Sequence, residues 1–360
     1  MRVLLRGYID PRTSPSASEV LEEDLIGRNS GNQIFGDAAF RVLDRPDTDL
    51  TITDFRGWWR QAERINEDYD AVVLPFANAF RPEYLPVLRR FTQLLRRLTV
   101  PVTVLGIGAQ SDLDYTFDPL SPLEDDVRDF VAAVLDRGPS IGVRGEFSAA
   151  YLAHLGFSDV EVVGCPSVFR HGADLAPTRS TTLTRESPLA INLTGPVEHP
   201  GLLPHHLDRY PNLSYVAQAR AELRTLLTGS TQDRGGPEHP RDPSHRLYTE
   251  DRVRFFLDAP SWLDFLAGQD FSFGTRIHGN VAALLAGTPA HVLAHDSRTR
   301  ELSEYFGIPH TRIDRLAPGT DAADLLARSD PAPFQDGHAE RLARFRGYLD
   351  THGVPHTLDA

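Results

Sequence analysis

One cysteine, Cys165, is all that a chain of 360 residues provides. No disulfide can form within the chain, which fits a reducing compartment. Positive charge is also in deficit, with a formal net charge of −13. A general basic face for nucleic acid or anionic lipid is therefore disfavoured, because phosphate recognition runs on clustered Lys and Arg. A local basic pocket would stand out against that background. Long apolar runs are missing as well: nothing approaches the ~18 residues of a membrane span. The start, Met1-Arg2-Val3-Leu4-Leu5-Arg6-Gly7, has too short an apolar stretch before Arg6 and Asp10 for a secretory leader. The expectation is a cytoplasmic protein with no transmembrane segment.

Familiar nucleotide and nucleophile signatures are wanting too. There is no P-loop, and Gly106-Ile107-Gly108 lacks the third glycine and the opening helix of a dinucleotide fingerprint. Gly138-Pro139-Ser140-Ile141-Gly142 spells G-x-S-x-G but leads into a strand, so it is no nucleophile elbow.

What is present reads as α/β. Hydrophobic residues make up 41% and charged residues 24%, so each half of the chain can build a core. Short continuous apolar runs at Val3–Leu5, Leu50–Thr53, Ala71–Leu74, Val100–Leu105 and Ile141–Val143 predict buried parallel strands. Helical spacing over 81–98, 123–137 and 146–155 alternates with them, and the run Val160–Val163 closes this unit. A Thr-, Ser- and Pro-rich linker over 176–188 precedes a second alternation. Its strands are predicted at Leu189–Leu193, Phe271–Phe273 and Ala290–Leu293, and its helices at Ser261–Leu266, Ile277–Leu285 and Arg298–Phe306. A polar loop is expected over 229–245 and a last helix over about 334–349. Two such units imply a cleft, with ligands outside the carboxyl ends of the strands.

Phe273-Gly274-Thr275-Arg276-Ile277-His278-Gly279-Asn280 is the sharpest constellation. A strand, a tight glycine turn and a helix start together make an anion site, with free amides and the positive dipole end. Arg276 adds a planar fork for phosphate or carboxylate, and His278 a group that exchanges protons near neutral pH. The plainer alternative is that Thr275 caps the helix while Arg276 and His278 are solvated. A cation at a helix N-terminus is electrostatically misplaced, which favours a functional Arg276. Arg144 stands similarly between a strand and a helix, with a pair to Glu146 as its ordinary explanation. Asn32, Gly36 and Asp37 lie in a glycine-bearing segment ahead of a helix, where Asp37 could simply be the N-cap. His291, His295 and Asp296 form a weak metal pattern, and His199, His205 and His206 are expected in a solvent-facing loop.

These residues resemble the polysaccharide pyruvyl transferase family. The resemblance rests on Thr275–Gly279, the helix to Gly287-Thr288-Pro289, then Asp296, Arg298 and Tyr305-Phe306-Gly307-Ile308-Pro309. Gly31-Asn32 with Gly36-Asp37, Leu105 to Gln110, and Val143-Arg144 extend it across roughly residues 28–315. Three residues separate Asn32 from Gly36, where the family usually has the Asn close to Gly-Asp. The resemblance implies a GT-B-like fold, two Rossmann-like domains with mostly parallel sheets facing across a cleft. The domains expected are 1–175 on the acceptor side and 186–330 on the donor side, with 331–360 a helix and tail packing back on the first. It implies transfer of a pyruvyl group from phosphoenolpyruvate to a sugar, nucleotide-linked or lipid-linked glycan, with the lipid-linked case placing the protein at a membrane surface. Arg276, His278 and Arg144 fall on the family's catalytic positions. Thr275, Gly279, Asn280, Gly36, Asp37, Asn32, Gly108 and Gln110 are the further substrate-binding candidates, and no cofactor or metal is expected. The rivals are a GT-B-like glycosyltransferase using a nucleotide sugar and a non-catalytic carbohydrate- or anion-binding protein.

Overall fold

The computed structural model describes residues 1–197, 201–233, 235–236 and 238–358. His199 lies outside the described residues. Two parallel sheets form the frame. The first contains β1 (Arg2–Arg6), β2 (Asp49–Thr53), β3 (Ala71–Pro75) and β4 (Val102–Leu105) in the order β2-β1-β3-β4. The parallel pair β5 (Ile141–Val143) and β6 (Val160–Val162) continues it, bridged where Ile107 meets Val143. The strands are buried on both faces, which accounts for their unbroken Val, Leu and Ile runs.

The second sheet contains β7 (Leu189–Asn192), β8 (Leu213–Ala217), β9 (Val253–Phe255), β10 (Phe271–Gly274), β11 (Ala290–Ala294) and β12 (His310–Arg312). Read from its far edge the order is β9-β8-β7-β10-β11-β12, all parallel. This is the doubly wound order of a Rossmann sheet, whose direction of winding reverses between β7 and β10. Loops after β7 and β10 therefore diverge and leave a crevice there.

Several local expectations needed revision. The stretch over 81–98 is a short 3-10 turn at Pro82–Tyr84 followed by the helix Leu85–Leu95. The last helix divides at Gly337 into Ala332–Asp336 and His338–Thr351. The His338–Thr351 helix and its tail pack back on the first unit: the Tyr348 hydroxyl donates to the Val104 carbonyl of β4 at 2.8 Å, and the Thr357 amide to the carbonyl of Val42, in the helix Gly31–Leu43, at 2.8 Å. His205 and His206 belong to the helix Leu202–Arg209, and His206 is fully buried instead of facing solvent. None of the helices among the described residues is long and apolar enough to cross a membrane.

Candidate active site

Most of the side chains that line the candidate site sit just past the carboxyl end of a strand. A cleft of about 720 Å³ is lined from the first unit by Tyr8 after β1, Phe76 to Ala79 and Arg81 after β3, Gln110 after β4, Arg144 after β5 and Cys165 after β6. From the second unit come Thr194 after β7, Arg276 and His278 after β10, and His295, Asp296 and Arg298 after β11. The β7–β10 reversal supplies the floor.

The turn after β10 is held by a buried amide bracket. Gly274 has φ 141, and a Cβ there would lie 1.9 Å from the Asn192 carbonyl oxygen, so no other residue fits the close pass over β7. Thr275 is buried and caps nothing; its hydroxyl accepts from the Thr194 amide at 2.7 Å. Arg276 is the N-cap residue of the Ile277–Leu285 helix, and its amide donates to Asn192 Oδ1 at 3.0 Å. Asn280 is also fully buried, donating to Asn192, Gly274 and Arg276 at 3.2 Å and accepting from Ser272 at 3.0 Å. Gly279 packs on Asn192 and Gln218. Thr275, Gly279 and Asn280 thus shape the turn, and only Arg276 and His278 of this segment line the cleft.

Arg144 reaches the cleft from the opposite sheet. It is 1% exposed, and none of its three guanidinium nitrogens has a hydrogen-bond partner among the described residues. Its plane passes over Gly108, where a Cβ would lie 1.9 Å from Nε, so Gly108 is clearance for Arg144. The expected pair with Glu146 does not form. The carboxylates whose charge reaches Arg144 are Glu301 and, more weakly, Asp296; Glu301 is buried on the helix Ser297–Phe306 and accepts from the Ser148 amide at 2.6 Å and hydroxyl at 3.0 Å. Burial pushes the Arg144 guanidinium down to about 10 against the pull of Glu301. An unpaired buried cation costs several kcal/mol unless something anionic joins it.

The chain contains no lysine, so the cleft's fixed cations are guanidiniums. Arg6, Arg28, Arg81, Arg144, Arg276 and Arg298 line it against two carboxylates, Glu83 and Asp296. In a protein of net charge −13 this concentration is the local basic pocket that composition alone could not reveal. Arg298 is its hub, since its charge opposes those of Arg81, Arg144, Arg276 and His278 alike. Burial, then Arg298 and Arg144, hold the His278 imidazole down to about 3. The ring keeps an opening to the cleft, so a bound ligand decides its charge. Burial raises the Asp296 carboxyl, but Arg298, His295 and the Thr299 bonds outweigh it and bring it to about 2.

Gln110 joins the two walls, donating to Asp296 Oδ2 at 3.3 Å and accepting from the Asn78 amide. Asn32 lines the cleft, its amide donating to the Ile26 carbonyl at 2.8 Å. Gly36 and Asp37 do not reach it. The helix already starts at Gly31, so Asp37 lies inside it as no N-cap, and pairs at 2.6 Å with the equally buried Arg170. His291 gives both ring nitrogens to Ser329 and Thr311 at 2.9 Å and makes no metal pair with His295. Among the described residues, His205, His206 and Asp321 bring three ligand-type atoms together, but the Asp321 carboxylate already receives Arg209 and Tyr210. Arg81 and Cys165 were not singled out by sequence as site residues; each is one polar residue in a loop whose importance depends on where the other sheet lies.

The sequence model of one family, polysaccharide pyruvyl transferase, matches residues 29–297. No curated protein matches the chain. Solved structures align along nearly its whole length at low identity. A UDP-N-acetylglucosamine 2-epimerase shares 12% identity at a TM-score of 0.50, over 98% of this chain and 96% of that one. MnaA of S. aureus, determined with UDP, shares 14% at 0.49, over 97% and 96%. A UDP-GlcNAc 2-epimerase of Methanocaldococcus jannaschii shares 12% at 0.48, over 97% and 100%. The fold is GT-B-like, two Rossmann-like domains with mostly parallel sheets facing across a cleft.

Proposed function

The chain belongs to the polysaccharide pyruvyl transferase family, and we propose that its cleft moves a pyruvyl group from phosphoenolpyruvate to two hydroxyls of a sugar or glycan. The observation that carries this is the meeting of Arg144, Arg276 and Arg298 with His278 where both sheets end. Phosphoenolpyruvate offers a phosphate and a carboxylate on one small carbon frame. Planar guanidiniums from opposite walls match that pair of anions, and Arg144 in particular has no hydrogen-bond partner among the described residues.

In the reaction, C3 of the donor gains a proton and C2 gains one acceptor oxygen. The C2–O bond to phosphate then breaks, and a second acceptor oxygen closes the cyclic ketal. Of the two hydroxyl protons released, one balances the new methyl group and the other leaves with hydrogen phosphate. His278 is neutral before the donor binds. The anionic groups of phosphoenolpyruvate raise its proton affinity, so donor binding charges the ring that acts at C3. The guanidiniums hold the departing phosphate. As proposed, this draws on side chains alone and on no cofactor. The acceptor side is the wall bearing Tyr8, Tyr84, Asn78 and Gln110, suited to a nucleotide-linked or lipid-linked sugar.

Phosphate release from phosphoenolpyruvate, measured against a panel of sugar acceptors, tests the proposal. Release with at least one acceptor, abolished in His278→Ala, is the expected result. Phosphoenolpyruvate that binds without turnover with every acceptor would favour a non-catalytic anion-binding protein. A second reading, a nucleotide-sugar glycosyltransferase, draws on the helix start at the β7–β10 crevice, where a diphosphate can sit. Displacement of phosphoenolpyruvate by UDP, with sugar transfer from a nucleotide sugar, would favour it.

A further inference from the structure

Cys165 is the only thiol of the chain, and its Sγ lies 3.7 Å from His278 Nε2. The sulfur's acceptor capacity is already used on the other side. The Ser167 hydroxyl donates to it at 3.1 Å, and the Ser167 amide also points at it. What remains for the contact with His278 is the thiol proton. Nε2 is then the acceptor nitrogen, and the ring proton is on Nδ1. That second nitrogen has no hydrogen-bond partner among the described residues and is not a closed-off atom, so it opens on the cleft. The ring is fixed sideways by Phe35, at 5.8 Å between centroids.

We propose that Cys165, backed by Ser167, is a positioning residue that sets the tautomer of His278, so that the resting imidazole presents Nδ1–H to the cleft as a hydrogen-bond donor. A histidine's free nitrogen takes the role left to it by the bond its other nitrogen makes. Burial acts in the same direction on both groups, raising the thiol and lowering the imidazole, so the pair is neutral and is no thiolate–imidazolium nucleophile. The consequence is a choice of role. A resting His278 with Nδ1–H outward donates to an anionic oxygen of the incoming donor and is not a base toward the acceptor hydroxyl. This deepens the pyruvyl-transfer proposal and rests on it.

Nitrogen-15 NMR of the ring nitrogens in the resting, full-length protein tests the tautomer without any turnover. His278→Gln identifies the signals among the chain's 14 histidines. The expected result is a protonated Nδ1 and an unprotonated Nε2, with Cys165→Ala giving a mixture of the two and Cys165→Ser retaining the wild-type pattern. In turnover, Cys165→Ala should lower kcat by about tenfold or more with KM for phosphoenolpyruvate unchanged, and Cys165→Ser should recover most of it. A protonated Nε2 in the resting protein, or equal kcat in the Ala and Ser variants, would overturn the assignment even if pyruvyl transfer is observed. The expected tautomer in a protein that turns over no phosphoenolpyruvate would support the pairing and sink the transfer reaction instead.

Discussion

Two glycine-bearing helix starts look alike in sequence and behave differently in the molecule. Gly31-Asn32 with Gly36-Asp37 begins the helix Gly31–Leu43; Gly274 to Gly279 begins the helix Ile277–Leu285. In the first, the one charge is spent inside the protein, since Asp37 lies 6% exposed against Arg170. In the second, neutral amides and a hydroxyl do the structural work through Asn192, Asn280 and Thr275, and the charged groups are left over. The lesson concerns bookkeeping of partners. A charged residue whose partner is part of the fold stabilises the fold. One whose backbone is braced by others, and whose own head group faces a cleft, is available to a ligand.

The largest effect that separates the two starts should come from Asp37→Ala. Removing one member of a buried pair strands Arg170, at a cost of about 3–5 kcal/mol. Urea denaturation should show the loss, while KM for phosphoenolpyruvate in the surviving folded protein stays at the wild-type value. A changed KM would mean that Asp37 communicates with the cleft and that the contrast is false. Arg276→Ala should do the reverse. Its head group is tied to the fold only by the Nε bond to the Leu193 carbonyl, so stability should fall by about 1 kcal/mol, while kcat/KM for phosphoenolpyruvate falls by about 100- to 1000-fold, roughly 3–4 kcal/mol. Lysine should restore only part of this, because the planar fork is lost.

The fold was largely legible because β-branched runs such as Ala71–Pro75 and Ile141–Val143 are buried on both faces and need no polar alternation. Val253–Phe255 and His310–Arg312 carry no strand signal because they are three-residue edge strands with charged or histidine side chains. Leu213–Ala217 was hidden by its short Ser- and Tyr-containing run. Within the site, Arg276 and His278 could be read because a cation at a helix start has no good structural reason. Arg81 could not. Asn280 and Gly108 read in sequence as ligand contacts, yet an amide bracing a turn and a glycine giving clearance use the same letters. Only the partner distinguishes them.

Glu301 offers a pH test of the contact between the two walls. Burial pushes its carboxyl up to about 7, against the pull of Arg144 and the Ser148 bonds. A carboxyl raised in the folded state keeps its proton there while the unfolded chain releases its own near the ordinary value of about 4.5. Stability from this group is therefore present below about pH 4.5 and is lost as pH rises to about 7, with an upper limit of about 3 kcal/mol. Glu301→Gln should flatten the stability profile between about pH 4.5 and 7. An unchanged slope would show that Arg144 keeps Glu301 ionised and that the walls are joined by a true ion pair.

The smallest expected effect asks whether the bracket serves the fold or the ligand. Asn280→Ala removes a donor from three acceptors, two of them buried, and takes away the acceptor of the Ser272 hydroxyl proton, a cost of about 1–3 kcal/mol. If the bracket only braces the turn, the Arg276 amide keeps its bond to Asn192 Oδ1 and the guanidinium keeps its Nε bond to the Leu193 carbonyl at 3.1 Å. KM for phosphoenolpyruvate should then rise by no more than about threefold at saturating acceptor, well under the loss from Arg276→Ala. A loss equal to that of Arg276→Ala would place the bracket and the guanidinium in one unit. The second helix start would then resemble the first, its structural and ligand-facing residues no longer separable by asking which partner each one has.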